Sequence, residues 1–157
     1  MSARMFATFF IDETLWGVNV LQVREVLRKA VTSPVPHTAP YILGLMNLRG
    51  QIVTVIDLAR RLGCDGATED GDDMCVVLKS SSELSAVVWA DQDLEDTGPD
   101  SVGLLVQRMG RVVEVDSDAI RSPPANVDPN LLPFIRGVVP LEEELLLVLT
   151  LDQVLDC

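Results

Sequence analysis

Apolar residues in this chain fall in short runs of Val, Leu, Ile and Ala, broken every few positions by Gly, Pro, Asp or Ser. Runs this short and this rich in β-branched residues predict many short strands. Four stand out: Gly17-Val18-Asn19-Val20, Ile52-Val53-Thr54-Val55-Ile56, Gly103-Leu104-Leu105-Val106 and Leu145-Leu146-Leu147-Val148-Leu149.

These runs repeat. At a shift of 93 positions two segments align without a gap, from Pro40 over Pro133 to Leu62 over Leu155. Tyr41 falls on Phe134, Gly44 on Gly137, and 52–56 on 145–149. A weaker echo precedes this match, with 17–20 over 103–106 and Ser33-Pro34 over Ser122-Pro123. Each copy reads as a glycine-led strand, a Ser-Pro turn, a Pro-aromatic entry, a strand, a tight connection, a strand and a short helix. That order in both copies predicts a duplicated β unit.

The two closing helices have readable ends. Asp57 precedes Leu58-Ala59-Arg60-Arg61-Leu62 as an N-cap, Gly63 stops that helix, and Thr150 and Gln153 have capping-box spacing. One stretch reads two ways. Val20, Val23, Leu27 and Val31 recur at helical spacing, which favours a helix, yet their branching and the Ser33-Pro34 stop also suit a turn and a strand. The acidic connectors 64–73 and 91–100 are expected to be solvated loops. Within the first, Asp65-Gly66-Ala67-Thr68-Glu69-Asp70 fails the ligand and glycine positions of an EF-hand, so no calcium site is expected.

The copies differ most at one turn, where Met46-Asn47-Leu48-Arg49-Gly50 stands over Val139-Pro140-Leu141-Glu142-Glu143. Asn and Gly there are ordinary turn chemistry. Arg49 is different, a guanidinium beside Leu45, Met46 and Leu48 in an acidic chain. Its planar fork can make two parallel hydrogen bonds to a carboxylate while its stem packs on apolar neighbours. The residues leave both a solvated turn and an interaction surface open.

Composition narrows the function. At 157 residues and 48% hydrophobic content, the chain can form one compact domain or two small barrels sharing a core. No run reaches the ~18 apolar residues of a membrane span, and the opening residues show no leader pattern, so a cytoplasmic protein without membrane insertion is expected. A net charge of -12 argues against nucleic acid and anionic lipid as partners. Cys64, Cys75 and Cys157 are odd in number and lack metal-ligand spacing, so neither a disulfide framework nor a metal site is expected.

Nothing points to catalysis or to a cofactor. His37, the single histidine, lies in a proline-rich segment without a nucleophile motif, and no phosphate-loop or dinucleotide fingerprint is present. Asp12, Glu13 and Asp57 follow apolar runs, as the acidic pocket of a phosphoryl-accepting receiver domain does. That reading lacks its lysine, since 104–115 contains none, and proline clusters interrupt the βα alternation it needs.

The stretch Ile42-Leu43-Gly44-Leu45-Met46-Asn47-Leu48-Arg49-Gly50-Gln51-Ile52-Val53-Thr54-Val55-Ile56-Asp57-Leu58 resembles the signature of the CheW family. Trp16 to Val20, Val23 to Leu27, Val102 to Val106, Ile120 to Pro124 and Phe134 to Val138 extend the likeness over nearly the whole chain. The resemblance implies an all-β fold with short helices: two pseudo-repeated SH3-like five-stranded barrels sharing a hydrophobic core. It implies one domain over 1–157, with approximate subdomains 1–80 and 81–157 and room for strands to exchange between them. It also favours a turn plus strand after Val23.

Functionally, the resemblance implies a non-catalytic adaptor linking the cytoplasmic tips of methyl-accepting chemoreceptors to the regulatory domain of a CheA-type histidine kinase. A paralogue serving a pilus or biofilm pathway is the alternative. Glu25, Gly44 and Arg49 match positions the family uses at partner surfaces, with Val23 beside them and Asn47, Leu48 and Gly50 shaping the turn. The chain departs from the family pattern at Gln107, where Asp is usual, and at Thr54, where proline is common.

Overall fold

The structure is a computed structural model that describes residues 3–28, 32–64, 73–85 and 94–156. Val31, the 65–70 connector, Asp91 and Cys157 lie outside the described residues. Among the described residues, the short apolar runs form ten strands: β1 (Ala3–Ile11), β2 (Thr14–Asn19), β3 (Val23–Leu27), β4 (Ile42–Leu48), β5 (Gln51–Asp57), β6 (Met74–Leu78), β7 (Ser101–Val106), β8 (Arg108–Asp116), β9 (Ile135–Pro140) and β10 (Leu145–Leu149). Among the described residues, single-turn helices α1 (Leu58–Arg61), α2 (Ser81–Leu84) and α3 (Leu151–Leu155) and isolated 3-10 turns make up the other regular structure.

The strands form two five-stranded sheets, ordered β8-β1-β2-β10-β9 and β3-β6-β7-β5-β4. Advancing every strand of one sheet by five places, cyclically, yields the order of the other. The duplication is thus a two-fold relation in which each half lends its first two strands to the sheet built from the last three strands of the other half. Sheet membership crosses residue 80 in both directions: β1 and β2 join β8 to β10, while β7 joins β3 to β5.

Register confirms the relation. Gly17 of β2 lies opposite Val148 of β10 in a parallel pair, and Gly103 of β7 lies opposite Val55 of β5. Val55 and Val148 are matched by the 93-residue shift. Both glycines meet close neighbours, since a Cβ would come 3.0 Å from Leu146 Cδ1 at Gly17 and 2.6 Å from Cys75 Sγ at Gly103.

Each sheet wraps a small core of its own, Phe6, Leu15, Val113 and Leu146 in one and Met46, Val53, Cys75 and Val77 in the other. Between them lies a larger shared core that joins Phe9 and Trp16 to Ile56, Val76 and Leu104. Many strand residues are consequently buried on both faces, which is why the sequence shows continuous apolar runs instead of alternation. Each fully buried large apolar side chain contributes about 1.5–3 kcal/mol, so this shared core binds the halves strongly.

Helical spacing misleads after Val20. The chain makes one 3-10 turn, Val20–Gln22, and then enters β3, which pairs with β6. Asn19 caps that turn by accepting from Leu21 N at 2.9 Å. The buried Gln22 amide then bonds both backbone groups of Glu95, each at 2.8 Å, fixing the turn at three residues.

The first closing helix keeps its expected ends. Asp57 accepts from Arg60 N, and Gly63, at φ 85°, begins a Schellman stop with Gly63 N donating to Arg60 O and Cys64 N to Ala59 O. The second does not form the Thr150–Gln153 box, as Thr150 makes no side-chain cap. Its first amides donate instead to the Glu95 carboxylate, Leu151 N at 2.9 Å and Asp152 N at 3.2 Å. Glu95 also lies 3.7 Å from Arg136 and is only 15% exposed, so at this position the acidic connector is a clamp and not a solvated loop.

Arg61 crosses the two-fold relation. It donates to Val154 O, Gln153 O and Asp156 O at 2.8–2.9 Å, closing the end of α3. Its guanidinium sits 4.7 Å from the Tyr41 ring and 5.0 Å from that of Phe134, the aromatic pair that the repeat matched.

Burial pushes the Cys75 thiol from its ordinary value of 9.0 up to about 12. An unfolded chain ionises this thiol above about pH 9 and the native chain does not. The thiol's contribution is therefore intact below pH 9 and lost as pH rises toward 12, at about 1.4 kcal/mol per pH unit. Urea midpoints at stepped alkaline pH should fall more steeply for the wild type than for Cys75→Ala. Parallel declines would show that Cys75 does not set the slope.

Candidate docking rim on the first-repeat sheet

The turn between β4 and β5 is a two-residue hairpin, with Leu48 paired to Gln51 and positive φ at Arg49 (51°) and Gly50 (85°). Such a primed turn matches strand twist. Asn47 holds it by accepting from Gly50 N at 2.9 Å through its side-chain carbonyl. The turn projects Arg49 outward, leaving its side chain 63% exposed.

β3 and β4 are opposite edges of one sheet. The sheet curls so that side chains link the two edges: Arg49 donates to Glu25 of β3, and Arg24 donates to Gln51 at the start of β5. Gln51 in turn donates to Ser101 Oγ at 2.8 Å. Arg24 Nε lies 3.6 Å from both Glu25 and Glu83, so charges alternate along the rim as Glu83, Arg24, Glu25 and Arg49. Beside it, Leu45 and Ile52 stand 37% and 65% exposed, lining a shallow groove with Ser33, Asn47 and Gly50.

The structure brings four of the expected site residues together: Arg49, Glu25, Asn47 and Gly50. The other three lie beneath. Leu48 packs in the small core under the turn, and Val23 is half-buried against the shared core opposite Leu78. Gly44 is buried at φ 148°, where the Ser33-Pro34 backbone crosses it and an added Cβ would lie 2.2 Å from Ser33 O. Its observed contact is thus with the protein's own backbone. Arg24, Gln51, Ser101 and Glu83 complete the rim but were missing from the expected set. Only the adjacency of Arg24 to Glu25 hinted at any of them.

Both departures have local partners. Gln107 accepts from Asp12 N and donates to Asp12 Oδ1 at 3.2 Å, a pairing in which an aspartate would set two carboxylates against each other. Thr54 sits between Leu45 and Val102 in the ladder. His37 is exposed in a turn at φ 63°. The Asp57 carboxylate is spent on its helix cap, and mixed sheets replace the helix-flanked parallel sheet of a receiver domain. Among the described residues no cluster of His, Cys, Asp or Glu could hold a metal ion, and no helix is long and apolar enough to cross a membrane.

Two interleaved, mostly β halves with a rim of alternating charges beside exposed apolar side chains are what the structure shows. The chain belongs to the family described as CheW-like domain, which matches residues 6–157 and comprises non-catalytic scaffold proteins of chemotaxis. It is similar to the chemotaxis protein CheW of Treponema pallidum, 29% identical over 147 residues that cover 93% of this chain and 78% of that one. The CheW of Rhizobium meliloti is 26% identical over 151 residues, covering 96% and 86%. Protein FrzA of Myxococcus xanthus is 37% identical over 57 residues, 36% of each chain. In fold the chain resembles the scaffolding protein TtCheW from Thermoanaerobacter tengcongensis, with a TM-score of 0.76, 23% identity and coverage of 96% and 86%.

Proposed function

We propose that this chain couples methyl-accepting chemoreceptors to a CheA-type histidine kinase, working in the cytoplasm beside the receptors and docking through the Arg49–Glu25 rim. The observation that carries this reading is an exposed guanidinium held against Glu25 next to the apolar Leu45 and Ile52. Exposed ion pairs are worth about 0–1 kcal/mol, so a partner carboxylate can displace Glu25 or share Arg49 at small cost. Apolar neighbours supply the area that such a contact needs. Output comes from assembly: an adaptor that prefers one kinase state shifts the kinase population by that difference in affinity.

Titration of the purified chain against the kinase regulatory domain and a receptor-tip fragment, separately and together, tests the proposal. Arg49→Glu should weaken binding to at least one of them about tenfold or more, because reversal sets like charges against a complementary surface. Its stability should change by less than about 1 kcal/mol, as expected for an exposed side chain. Unchanged affinity for both partners removes the rim from the docking site.

A further inference from the structure

Each sheet ends in two edge strands, β8 and β9 in one and β3 and β4 in the other. An uncovered edge offers its unpaired N–H and C=O groups to another chain, so proteins cover such edges or place Lys or Pro on them. Three of the four edges carry a closing contact. Ser33 bridges to Leu45 of β4, and Arg121 bridges to Val138 of β9, each through two backbone hydrogen bonds of 2.8–2.9 Å. β3 is five residues long and is latched across the sheet by Glu25 with Arg49 and by Arg24 with Gln51.

β8 is the exception. It runs for nine residues, contains neither Lys nor Pro, and pairs on one side with β1. Among the described residues, no backbone hydrogen bond leaves its other side. The two-fold relation shows which contact is missing. Thr8 pairs with Gly17 and Val77 with Gly103, so β1 maps on β6, and Val112 opposite Ala7 corresponds to Val26 opposite Val76. Glu25 therefore falls on Arg111, while the 93-residue shift puts Arg49 on Glu142. The signs are exchanged, and among the described residues Arg111 and Glu142 make no ion pair, so the latch of the first half has no counterpart here.

A bulge sets where this edge is regular. Ala7 pairs with Val112 and Phe9 with Met109, so Gly110 and Arg111 together oppose Thr8, and the straight part of the strand runs over 111–116. Along it Val113 and Val115 pack in the small core, while Val112 stands 53% exposed and Met5, on the neighbouring strand, 48%. Charge is arranged end to end, with Arg111 at the start and Glu114 and Asp116 toward the finish. The side chains of Arg111 and Glu114 are exposed and form no ion pair among the described residues. Two such strands laid antiparallel set Arg111 of each alongside Glu114 of the other, whereas a parallel arrangement sets like charges together.

We propose that β8 is a dimerisation edge, on which a second copy of this chain adds its own β8 antiparallel and joins two five-stranded sheets into one of ten. The contact is isologous, and each chain has one such edge, so assembly closes at two copies. Val112 and Met5 supply apolar cover beside the ladder. The Arg49 rim belongs to the other sheet and shares no residue with β8, so a dimer carries two rims and can hold a partner that offers two sites with greater avidity.

Sedimentation equilibrium of the full chain tests this from about 5 to 500 µM, the range in which weak association registers. Mass should rise from monomer to dimer and no further, and hydrogen exchange of the 111–116 amides should slow as concentration increases. Arg111→Glu and Glu114→Arg should each weaken the dimer about tenfold or more, since each gives the edge a single sign. Thermal unfolding of both should stay close to wild type because both side chains are exposed. The double variant Arg111→Glu/Glu114→Arg restores opposite ends in exchanged order and should recover the dimer. A wild-type monomer throughout the range overturns the proposal. So does a dimer that either single variant leaves unchanged, or a double variant that associates no better than the single ones.

Discussion

Gly44→Ala should destabilise the protein by about 3 kcal/mol, while Gly50→Ala should cost about 1 kcal/mol, although both glycines have positive φ. The difference lies in what a methyl group meets. At Gly50 nothing stands within 4 Å, so only the backbone preference is lost. At Gly44 the new Cβ would lie 2.2 Å from Ser33 O, 2.7 Å from Ser33 C and 3.0 Å from Pro34 Cα, all backbone atoms that no rotamer can move. Relief requires opening the bridge in which Ser33 N donates to Leu45 O and Leu45 N to Ser33 O, at 2.8 and 2.9 Å. Those two bonds contribute about 1 kcal/mol each. Thermal unfolding should show a fall of roughly 6–12 °C for Gly44→Ala. Similar losses for the two variants would refute the close-approach account. A binding defect in Gly44→Ala also has to be corrected for unfolded protein before it says anything about docking.

Arg61→Ala should cost a comparable amount, about 3 kcal/mol by urea unfolding. The variant orphans three carbonyls at the end of α3 and removes a cation held between two aromatic rings. Hydrogen bonds from a charged donor are worth about 1.5–3 kcal/mol and cation–π contacts about 0.5–2, and acting on one group they do not add. Arg61→Lys separates charge from shape. Lysine keeps the charge but loses the planar fork that serves Val154, Gln153 and Asp156 together, so it should recover less than half of the loss. Wild-type stability in Arg61→Lys would assign the effect to charge alone.

The local features of this fold were readable because their causes are local. The pairs β4 with β5 and β9 with β10 follow from the matched runs and the tight turns between them. Asp57 and Gly63 mark the ends of α1 because caps act within a few residues. What escaped reading depends on partners far away in sequence. Glu95 sits in an acidic connector, and only the approach of Leu151 and Gln22 makes it a cap and a clamp. The same clamp holds Gln22 in its turn, so helical periodicity lost to a tertiary contact. The proposed docking rim was half legible. The contrast between repeats singled out Arg49, and family likeness singled out Glu25, but their direct pairing depends on how the sheet curls, which spacing does not encode.

Interleaving also sets a schedule for how the molecule is made. β2 lies beside β10, with Leu15 opposite Leu146, so the sheet that opens with the first strands stays incomplete until β10 has left the ribosome. Contacts this distant along the chain slow folding. During synthesis the edge of β2 stays unpaired, and a neighbouring nascent chain could offer it a β10 of its own.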